Sequence, residues 1–476
     1  MFDVAVIGAG VVGSSIAREL SRYRLKLCMI EKESDAACGT SKSNSGIVHA
    51  GFDAEPGTLM ARLNVEGCKR FESLSRELDF SFKKIGSLVV AFNESEVPKL
   101  EMLLKRGIEN GVRELEILSG SILAEMEPEL EPTAVAALYA PAAGITSPYE
   151  MNIAMAENAV MNGAQLFTGR KVTGIKKLED GSFKISAGGW DVKARYIVNA
   201  AGLYADEISR MAGAEDYRIT ARKGEYCLLD KNCGKLVRHV LFQVPGPMGK
   251  GVLVTPTVHG NILAGPNAYV VEDKEDLSTT REGLEEVVRL AEKSVPNFPL
   301  RDIITSFSGI RAVSGQDFII ENSRLQKGFV NVGGICSPGL TAAPAIATFV
   351  CGLLEEQGLK LDPRPDFAGG VKGIRAFREM DSRERIAAIK ENPLYGRVIC
   401  RCEMVTEGEI VEAIHRIIPA RDIDAVKRRV RAGMGRCQGG FCYPRITEIL
   451  SRELGEPMTS ITKNGGESFI LQGKTR

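Results

Sequence analysis

The first 31 residues carry the pattern that most restricts the fold of this chain. An apolar run, Phe2–Ile7, leads into Gly8-x-Gly10-x-x-Gly13 and then into a helical segment. In a strand–turn–helix unit of this kind, the first glycine permits the tight turn, the second lets a pyrophosphate approach the helix N-terminus, and the third lets helix pack on strand. A second apolar run ends at Glu31, where a carboxylate can bind the ribose hydroxyls of adenosine and disfavours a 2′-phosphate. The sequence therefore predicts a dinucleotide-binding fold.

The residues that follow distinguish FAD from NAD. Residues 39–46 read Gly-Thr-Ser-Lys-Ser-Asn-Ser-Gly, a small and hydroxyl-rich loop. This loop resembles the flavin-contacting loop of the D-amino-acid-oxidase-like FAD superfamily. Further matches lie at 144–163, 196–202 and 333–341, so the resemblance spans residues 1 to about 356. It implies FAD as the cofactor.

The same resemblance implies which residues contact FAD. Val172 would contact the adenine through its backbone, and Ala201 and Gly202 would lie under the pyrophosphate. Residues 339–341 would begin a helix near the flavin pyrimidine. The predicted FAD-binding residues are Gly8, Gly10, Gly13, Glu31, Thr40, Ser41, Ser45, Gly46, Val172, Ala201, Gly202, Gly334, Gly339, Leu340 and Thr341.

Four cysteines near the C-terminus form a second motif. They read Cys400-x-Cys402 and, after 34 intervening residues, Cys437-x₄-Cys442. Structural zinc is the alternative, but zinc pairs usually run C-x₂₋₄-C, and a one-residue gap is tight for a tetrahedral chelate. The segment is similar to the bacterioferritin-associated-ferredoxin-like [2Fe-2S] domain, which implies that the four thiolates bind such a cluster. A flavin joined to a cluster suits a substrate whose two electrons must leave one at a time.

Two shorter features flank these cysteines. Thr406 with Glu409 predicts a capping box that opens a helix beside the first ligand pair. The basic run 426–431 is interpreted as a solvated face or, alternatively, as a docking surface for an acidic electron acceptor.

Composition restricts the partners. Lys plus Arg and Asp plus Glu number 61 each, so no overall charge favours nucleic acid or an anionic membrane surface. The chain has no uninterrupted apolar run of about 18 residues, and we expect no integral membrane segment. Seven of the 11 cysteines are scattered singly, which suits a reducing compartment. We therefore predict a cytoplasmic protein, either free or peripheral to the membrane through a partner.

The whole arrangement resembles the large subunit of the anaerobic-type glycerol-3-phosphate dehydrogenase. Residues 44–51, 222–226 and 265–268 are also similar to L-2-hydroxyglutarate oxidases. Both kinds of enzyme oxidise a secondary alcohol beside an anion, so the resemblance implies a small anionic alcohol as substrate. The expected reaction converts sn-glycerol 3-phosphate to glycerone phosphate.

Two alternatives remain open. One is the oxidation of an L-2-hydroxy acid such as 2-hydroxyglutarate. The other is a subunit of a heteromeric opine or amino-acid dehydrogenase whose catalytic flavin lies on a partner. Because the chain carries no second nucleotide fingerprint, we expect a hetero-oligomer in which another flavoprotein or iron-sulfur subunit accepts the electrons.

Three residues are candidates for the substrate site. The resemblance implies that Arg311 faces the substrate anion over the flavin, where its fork can bond two oxygens; a salt-bridged structural arginine is the alternative. His49 could take the hydroxyl proton, or be a buried structural histidine, or be attached covalently to FAD. Lys250 could add charge for a dianion, or be a flexible loop lysine. Against phosphate, residues 336–338 read Cys-Ser-Pro where aerobic glycerol-3-phosphate dehydrogenases carry a lysine.

The expected fold class is α/β and α+β. A Rossmann-like FAD domain is interleaved with an antiparallel-sheet substrate domain, and a small, mostly helical iron-sulfur domain follows. The predicted boundaries are 1–85, 141–215 and 306–356 for the FAD domain, 86–140 and 216–305 for the substrate domain, 357–396 for a linker, 397–452 for the iron-sulfur domain and 453–476 for a polar tail.

Overall fold

The computed structural model describes residues 1–246 and 251–473. The strands in these residues are β1 (Phe2–Ile7), β2 (Leu27–Ile30), β3 (Ile47–Val48), β4 (Phe82–Lys84), β5 (Ser87–Ala91), β6 (Glu116–Ser119), β7 (Ala136–Ala140), β8 (Gly144–Thr146), β9 (Gln165–Phe167), β10 (Gly174–Lys177), β11 (Phe183–Ala187), β12 (Trp190–Asn199), β13 (Thr220–Leu229), β14 (Val240–Gln243), β15 (Leu253–Pro256), β16 (Ile262–Gly265), β17 (Tyr269–Val271), β18 (Ile303–Val313), β19 (Ile319–Asn322), β20 (Phe329–Gly333), β21 (Val398–Cys400) and β22 (Val405–Thr406). The α-helices are α1 (Val11–Leu20), α2 (Leu59–Leu78), α3 (Val97–Glu109), α4 (Gly120–Met126), α5 (Pro148–Met161), α6 (Ala205–Met211), α7 (Arg281–Ala291), α8 (Gly339–Glu356), α9 (Ser382–Glu391), α10 (Glu407–Ile414), α11 (Ile423–Val430) and α12 (Tyr443–Leu454).

An eight-stranded sheet is built around β1. β1 pairs in parallel with β12 on one side and with β2 on the other, and β9 follows β2. Beyond β12 the sheet divides, because β11 pairs with the N-terminal half of β12 and β20 with its C-terminal half. Val4 and Val6 face a core that includes α1, α5 and α8, whereas Ala5 and Ile7 face a second core on the other side. Burial on both faces explains why β1 is continuously apolar.

Helices α1, α2, α5 and α8 cover one face of this sheet. α8 packs against both α1 and α2, and α1 packs against α5. Among the residues that the structure describes, α8 is the one helix long and apolar enough to cross a membrane, and 56% of its apolar window is buried inside the protein. Most of its apolar surface therefore serves the core.

A nine-stranded sheet forms the second unit. Its order is β17, β13, β16, β15, β14, β5, β7, β6, and β18 pairs with β13 along its length. Its pairs are antiparallel except for β5 with β14. Leu88 and Val90 face a core that includes α7, and Val89 faces one that includes α3. The segments of this sheet interrupt those of the first, so the predicted interleaved fold class is confirmed.

One strand joins the two units. The predicted boundary at residue 306 falls inside β18, which pairs with the second sheet from Ile303 to Val313. A Cβ at Gly309 would lie 1.9 Å from the Ser43 carbonyl oxygen, in the loop after β2. β18 is therefore hydrogen-bonded into the second sheet, and its residue Gly309 packs against the loop after β2 in the first unit.

The C-terminal residues form a small, mostly helical unit, as predicted. Helices α10, α11 and α12 and the β21–β22 pair surround a core that contains Cys400 and Cys442. Thr406 and Glu409 form the predicted capping box at the start of α10.

The segments before and after this unit are packed on the protein. In the predicted linker 357–396, the Ala368 carbonyl accepts a hydrogen bond of 2.9 Å from the Asn158 amide of α5. In the tail, Ile461 is buried in the C-terminal core. The iron-sulfur unit is therefore held along its connector as well as by its own surface.

The contact between α2 and α8 gives the first testable prediction. A Cβ at Gly67 of α2 would lie 2.0 Å from the Thr341 carbonyl oxygen of α8. We expect Gly67→Ala to push the helices apart and to lower the free energy of unfolding by about 1–3 kcal/mol, measured as a lower thermal midpoint. At Gly352 of α8 a Cβ would meet nothing within 4 Å, so Gly352→Ala is the matched control. Equal midpoints for the two variants would contradict the prediction.

Candidate active site and iron-sulfur centre

The glycine turn after β1 is closed so tightly that side chains do not fit. Gly8 has a φ of +103°, and a Cβ there would lie 2.5 Å from the Ala200 carbonyl oxygen. At Gly13 a Cβ would lie 2.0 Å from the Gly8 carbonyl oxygen. The N-terminus of α1 is thus brought close to the strand ends, where its N–H groups can bind a pyrophosphate. This cradle fits a dinucleotide.

Glu31 is fixed at the end of β2. Its carboxylate accepts hydrogen bonds from the Ala9 N–H at 2.8 Å and from the Glu33 N–H at 3.0 Å. Burial raises the pKa of Glu31 despite these bonds. Val172 belongs to the same apolar cluster as Ile30, and the N–H of Arg170, two residues before it, donates to the Glu31 carbonyl at 2.8 Å.

The hydroxyl-rich loop bridges the two units. The Ser41 hydroxyl accepts a hydrogen bond of 2.9 Å from the Val11 N–H at the start of α1. The Thr40 hydroxyl donates to the Ile310 carbonyl of β18 at 2.7 Å. A Cβ at Gly46, where φ is +65°, would lie 2.4 Å from the Thr146 carbonyl oxygen. The loop is therefore held against both the nucleotide turn and the second sheet.

A cavity of about 770 Å³ lies between the two sheets. The residues of the predicted FAD and substrate sites that line it are Gly10, Thr40, Ser41, Ser45, His49, Gly202, Arg311, Gly339 and Leu340. The predicted residue Thr341 lies beside it and accepts a hydrogen bond from the backbone N–H of His49 at 3.0 Å. Lys250 lies outside the described residues. Gly251, which follows it, lines the cavity.

His49 is positioned from three directions. Its backbone N–H is held by Thr341, its Nε2 lies 3.3 Å from the Ser337 hydroxyl, and its ring stacks on Phe242 with centroids 5.8 Å apart. The ring therefore has a defined orientation in the cavity.

Arg311 shares the cavity with a second arginine. In the β13–β18 pair, Arg222 lies directly opposite Arg311, and both side chains line the cavity. Arg311 donates to the Asn267 carbonyl at 3.1 Å, and burial lowers its pKa. Like charges directly opposite each other on a sheet are destabilising, so this pair favours an anion between or above the two guanidinium groups.

Sequence reasoning missed several of these residues. Arg222 stood in a recognised motif but was given no role, because its register with Arg311 is set by strand pairing that sequence does not show. Phe242 and Ser337, which contact His49, likewise come from distant segments.

The four predicted cluster cysteines form two pairs in the C-terminal unit, Cys402 with Cys437 and Cys400 with Cys442. Cys402 and Cys437 place their sulfurs 3.7 Å apart, close to the about 3.8 Å expected for two sulfurs on one tetrahedral metal with bonds of about 2.3 Å. A contact with Cys442 lowers the pKa of Cys400 to about 6. In residues 1–246 and 251–473, three or more His, Cys, Asp or Glu groups do not converge on a single ion position. Two thiol pairs fit a two-iron cluster better than a mononuclear zinc site.

Family models match both parts of the chain. The FAD dependent oxidoreductase model matches residues 3–353, and the BFD-like [2Fe-2S] binding domain model matches residues 398–452. The chain belongs to the FAD dependent oxidoreductase family. Its cofactors, FAD and a [2Fe-2S] cluster, are those that the sequence predicted, and the glycine cradle and the paired thiols suit them.

Three individual relatives resemble this chain over most of its length. A glycerol 3-phosphate dehydrogenase from Caloramator mitchellensis is 50% identical over 477 residues, which cover 100% of this chain and 99% of the relative. The structure of dithionite-reduced L-alpha-glycerophosphate oxidase from Mycoplasma pneumoniae with FAD bound has a TM-score of 0.75 and 35% identity, over 78% of this chain and 98% of that chain. An L-2-hydroxyglutarate dehydrogenase from Nematostella vectensis is 28% identical over 73% of this chain and 89% of the relative.

The basic run of this FAD dependent oxidoreductase is buried, which corrects its interpretation as a solvated or docking face. Arg429 holds both carboxylate oxygens of Asp35 at 2.7 and 2.9 Å, and Arg428 adds a bond of 2.6 Å. The side chains of Asp35, Arg428 and Arg429 are 3%, 4% and 2% exposed. Burial alone would raise the pKa of Asp35, but the two guanidinium groups lower it to about 2. The run therefore binds α11 to the loop after Glu31.

Arg431 extends this contact to the second sheet. Its Nε donates to Glu403 at 2.9 Å, its Nη1 to the Tyr149 hydroxyl at 3.0 Å, and its Nη2 to Asn261 at 3.3 Å. Glu403 also accepts from Lys231 at 2.7 Å. Because Glu403 follows Cys402, these bonds fix the cluster loop relative to both sheets.

The buried ion pairs predict how the iron-sulfur unit docks. We expect Asp35→Asn to weaken docking by about 3–5 kcal/mol, because it leaves two buried guanidinium groups without a counter-charge. Limited proteolysis of the connector 357–396 and hydrogen exchange of α11 measure this. Asp424→Asn is the control, since Asp424 pairs with half-exposed Lys463 at the rim of the same unit. Equal protection of the two variants would contradict the prediction.

The ion pairs of Asp35 also predict how docking of the iron-sulfur unit depends on pH. Since the folded-state pKa of Asp35 is about 2 and the unfolded value about 3.9, its stabilisation is fully present above about pH 5 and is lost as the pH falls from about 4 to 2. Proteolysis of the connector at acid pH should therefore increase in the parent protein more steeply than in Asp35→Asn. An identical pH profile for the two proteins would show that Asp35 does not carry the effect.

Proposed function

We propose that this FAD dependent oxidoreductase oxidises sn-glycerol 3-phosphate to glycerone phosphate and passes the electrons through its [2Fe-2S] unit to a partner. The observation that carries the proposal is the arginine pair, Arg222 and Arg311, that shares a cavity with His49. The glycerol 3-phosphate dehydrogenase relative that covers the whole chain, cluster segment included, supports the same reaction.

The arginine pair suits a phosphate dianion. Each guanidinium can bond two oxygens of the group, and a dianion cancels the repulsion between two like charges held opposite each other. Asn267, whose carbonyl accepts from Arg311, keeps the guanidinium oriented. Phosphate would thus be bound on the second sheet, with the carbon chain directed toward the FAD-binding unit.

His49 is suited to take a proton. Bound FAD supplies the hydride acceptor, and oxidation of a secondary alcohol also releases the hydroxyl proton. His49 lines the same cavity as the arginines, and its Nε2 edge lies beside the Ser337 hydroxyl. We infer that the imidazole accepts the hydroxyl proton while Ser337 and Phe242 hold its orientation.

The proposed FAD site combines the predicted residues. The glycine turn and the N-terminus of α1 would bind the pyrophosphate, and Glu31 would bind the ribose. Residues 40–46 and 339–341 would contact the flavin half of the cofactor. We keep the domain boundaries predicted from the sequence, and we note that β18, which contains the boundary at residue 306, pairs with the second sheet.

The proposal includes an onward acceptor. A one-electron cluster beside a two-electron flavin is useful when electrons leave singly to another protein. We therefore propose a hetero-oligomer with a flavoprotein or iron-sulfur subunit, acting in the cytoplasm or at the membrane through that partner.

Anaerobic spectra test the substrate. The holoenzyme is mixed with glycerol 3-phosphate, L-2-hydroxyglutarate or L-proline while the flavin and cluster bands are recorded. Bleaching of both bands by glycerol 3-phosphate alone is the expected result. Bleaching only by L-2-hydroxyglutarate would show that this compound, and not glycerol 3-phosphate, is the substrate. Bleaching by none of the three would place the catalytic flavin on a partner.

Substitution of the arginines gives a quantitative prediction. We expect Arg311→Ala to lower kcat/KM for glycerol 3-phosphate by about 10²-fold and Arg222→Ala by about 10-fold, since a hydrogen bond to a charged group contributes about 1.5–3 kcal/mol. Steady-state rates with an artificial acceptor measure both. Arg281→Ala is the control, because Arg281 lies on the surface of α7 with its side chain 84% exposed. Unchanged kcat/KM in Arg311→Ala would contradict the proposed anion site.

A further inference from the structure

Two large apolar side chains beside the four cysteines are exposed to solvent. Phe441, between the ligands Cys437 and Cys442, is 86% exposed, and Met404, two residues after Cys402, is 39% exposed. Cys402 itself is exposed, whereas Cys400 and Cys442 are buried. An aromatic ring held in water beside exposed ligand sulfurs is typical of a protein-binding surface.

Cations surround this apolar centre. Three exposed arginines lie beside the ligands in sequence: Arg401 between the first two cysteines, Arg436 before the third and Arg445 after the fourth. Two carboxylates oppose them, since Arg436 pairs with Asp230 at 3.0 Å and Arg445 with Glu448 at 2.7 Å. The side chain of Asp230 is only 14% exposed and that of Glu448 is 49% exposed, so three exposed arginines stand against one exposed carboxylate and the net charge presented to solvent is positive.

We propose that Phe441, Met404 and these three arginines form the exit surface for electrons, and that its occupant is a small acidic one-electron carrier protein. The inference rests on the proposed function, in which the cluster passes electrons onward to a flavoprotein or iron-sulfur partner, and it makes that partner a protein that binds and dissociates. At each encounter the cluster loses one electron and the carrier gains one, so two encounters complete the oxidation of one substrate molecule. Opposite charges speed such encounters, and the apolar centre excludes water from the contact.

The geometry also explains why the inner and outer thiols differ. The buried pair, Cys400 and Cys442, lies in the core of the unit, and the loop after Cys402 is bound to both sheets through Glu403 and Arg431. The exposed Cys402 and the partly exposed Cys437 face solvent. A carrier seated on Phe441 would thus face the outer sulfurs, whereas Glu403 and Arg431, which dock the cluster loop, are buried.

Reoxidation by carriers of opposite charge tests the proposal. The holoenzyme is reduced with stoichiometric dithionite, so that the result does not depend on which substrate the enzyme uses. It is then mixed by stopped flow with a rubredoxin, which is small and acidic, or with a basic c-type cytochrome. We expect rubredoxin to react at least tenfold faster at low ionic strength and to lose that advantage in about 0.5 M salt, where charges are screened beyond about 4 Å. Equal rates with the two carriers would overturn the proposal.

Variants locate the surface. Phe441→Ser and Arg401→Glu should each slow rubredoxin reduction and weaken the binding of oxidised rubredoxin by about tenfold, while the cluster keeps its visible absorption. Ile417→Ser is the control, since Ile417 is an exposed apolar residue of the same unit, 45% exposed and after α10. If Phe441→Ser behaves like Ile417→Ser, the surface is not the exit. If it instead changes only the oligomeric state in gel filtration, the face binds a second copy, and the proposal is wrong.

Discussion

The buried ion pairs between Asp35 and the arginines of α11 decide how the two redox units of this protein are arranged. Asp35 follows the acid that ends β2, and Arg428 and Arg429 belong to the iron-sulfur unit, so a single carboxylate ties the nucleotide-binding loop to the cluster-bearing helix. A buried charge left without its partner costs several kcal/mol. The docked arrangement is therefore strongly preferred over one in which the unit swings away on its connector.

Fixed docking is useful for electron transfer. Arg431 continues the interface from α11 to the cluster loop through Glu403 and to α5 through Tyr149. The end of β8, just before α5, packs on the hydroxyl-rich loop, where the Thr146 N–H donates to the Gly46 carbonyl at 2.7 Å. A continuous series of packed groups therefore connects the loop that would hold the flavin with the loop that carries Cys402. The two loops can keep this arrangement without any movement of the units.

Much of this architecture could be predicted from local patterns. The glycine turn, the terminal acid and the paired cysteines each depend on spacing within a short segment, because the chemistry of a tight turn or a chelate is itself local. The capping box of Thr406 and Glu409 is predictable for the same reason. The basic run was misread because its counter-charge, Asp35, is almost 400 residues away in sequence, and charge patterning alone favours solvent for such a run. Arg222 was given no role because strand register, which sets it against Arg311, is a property of the folded sheet.

The two arginine clusters show that the presence of a counter-charge, and not residue type, decides what a basic group does here. Arg428 and Arg429 are neutralised by a carboxylate of the same chain and contribute rigidity. Arg222 and Arg311 face each other across a strand pair and line a cavity, so their charge is left for a ligand to neutralise. Two like charges held opposite each other in a sheet lower the stability of the fold. Such a loss is expected where binding of an anion restores the stability. The same reasoning separates the proposed substrate end of the molecule from its docking interface, although both are rich in arginine.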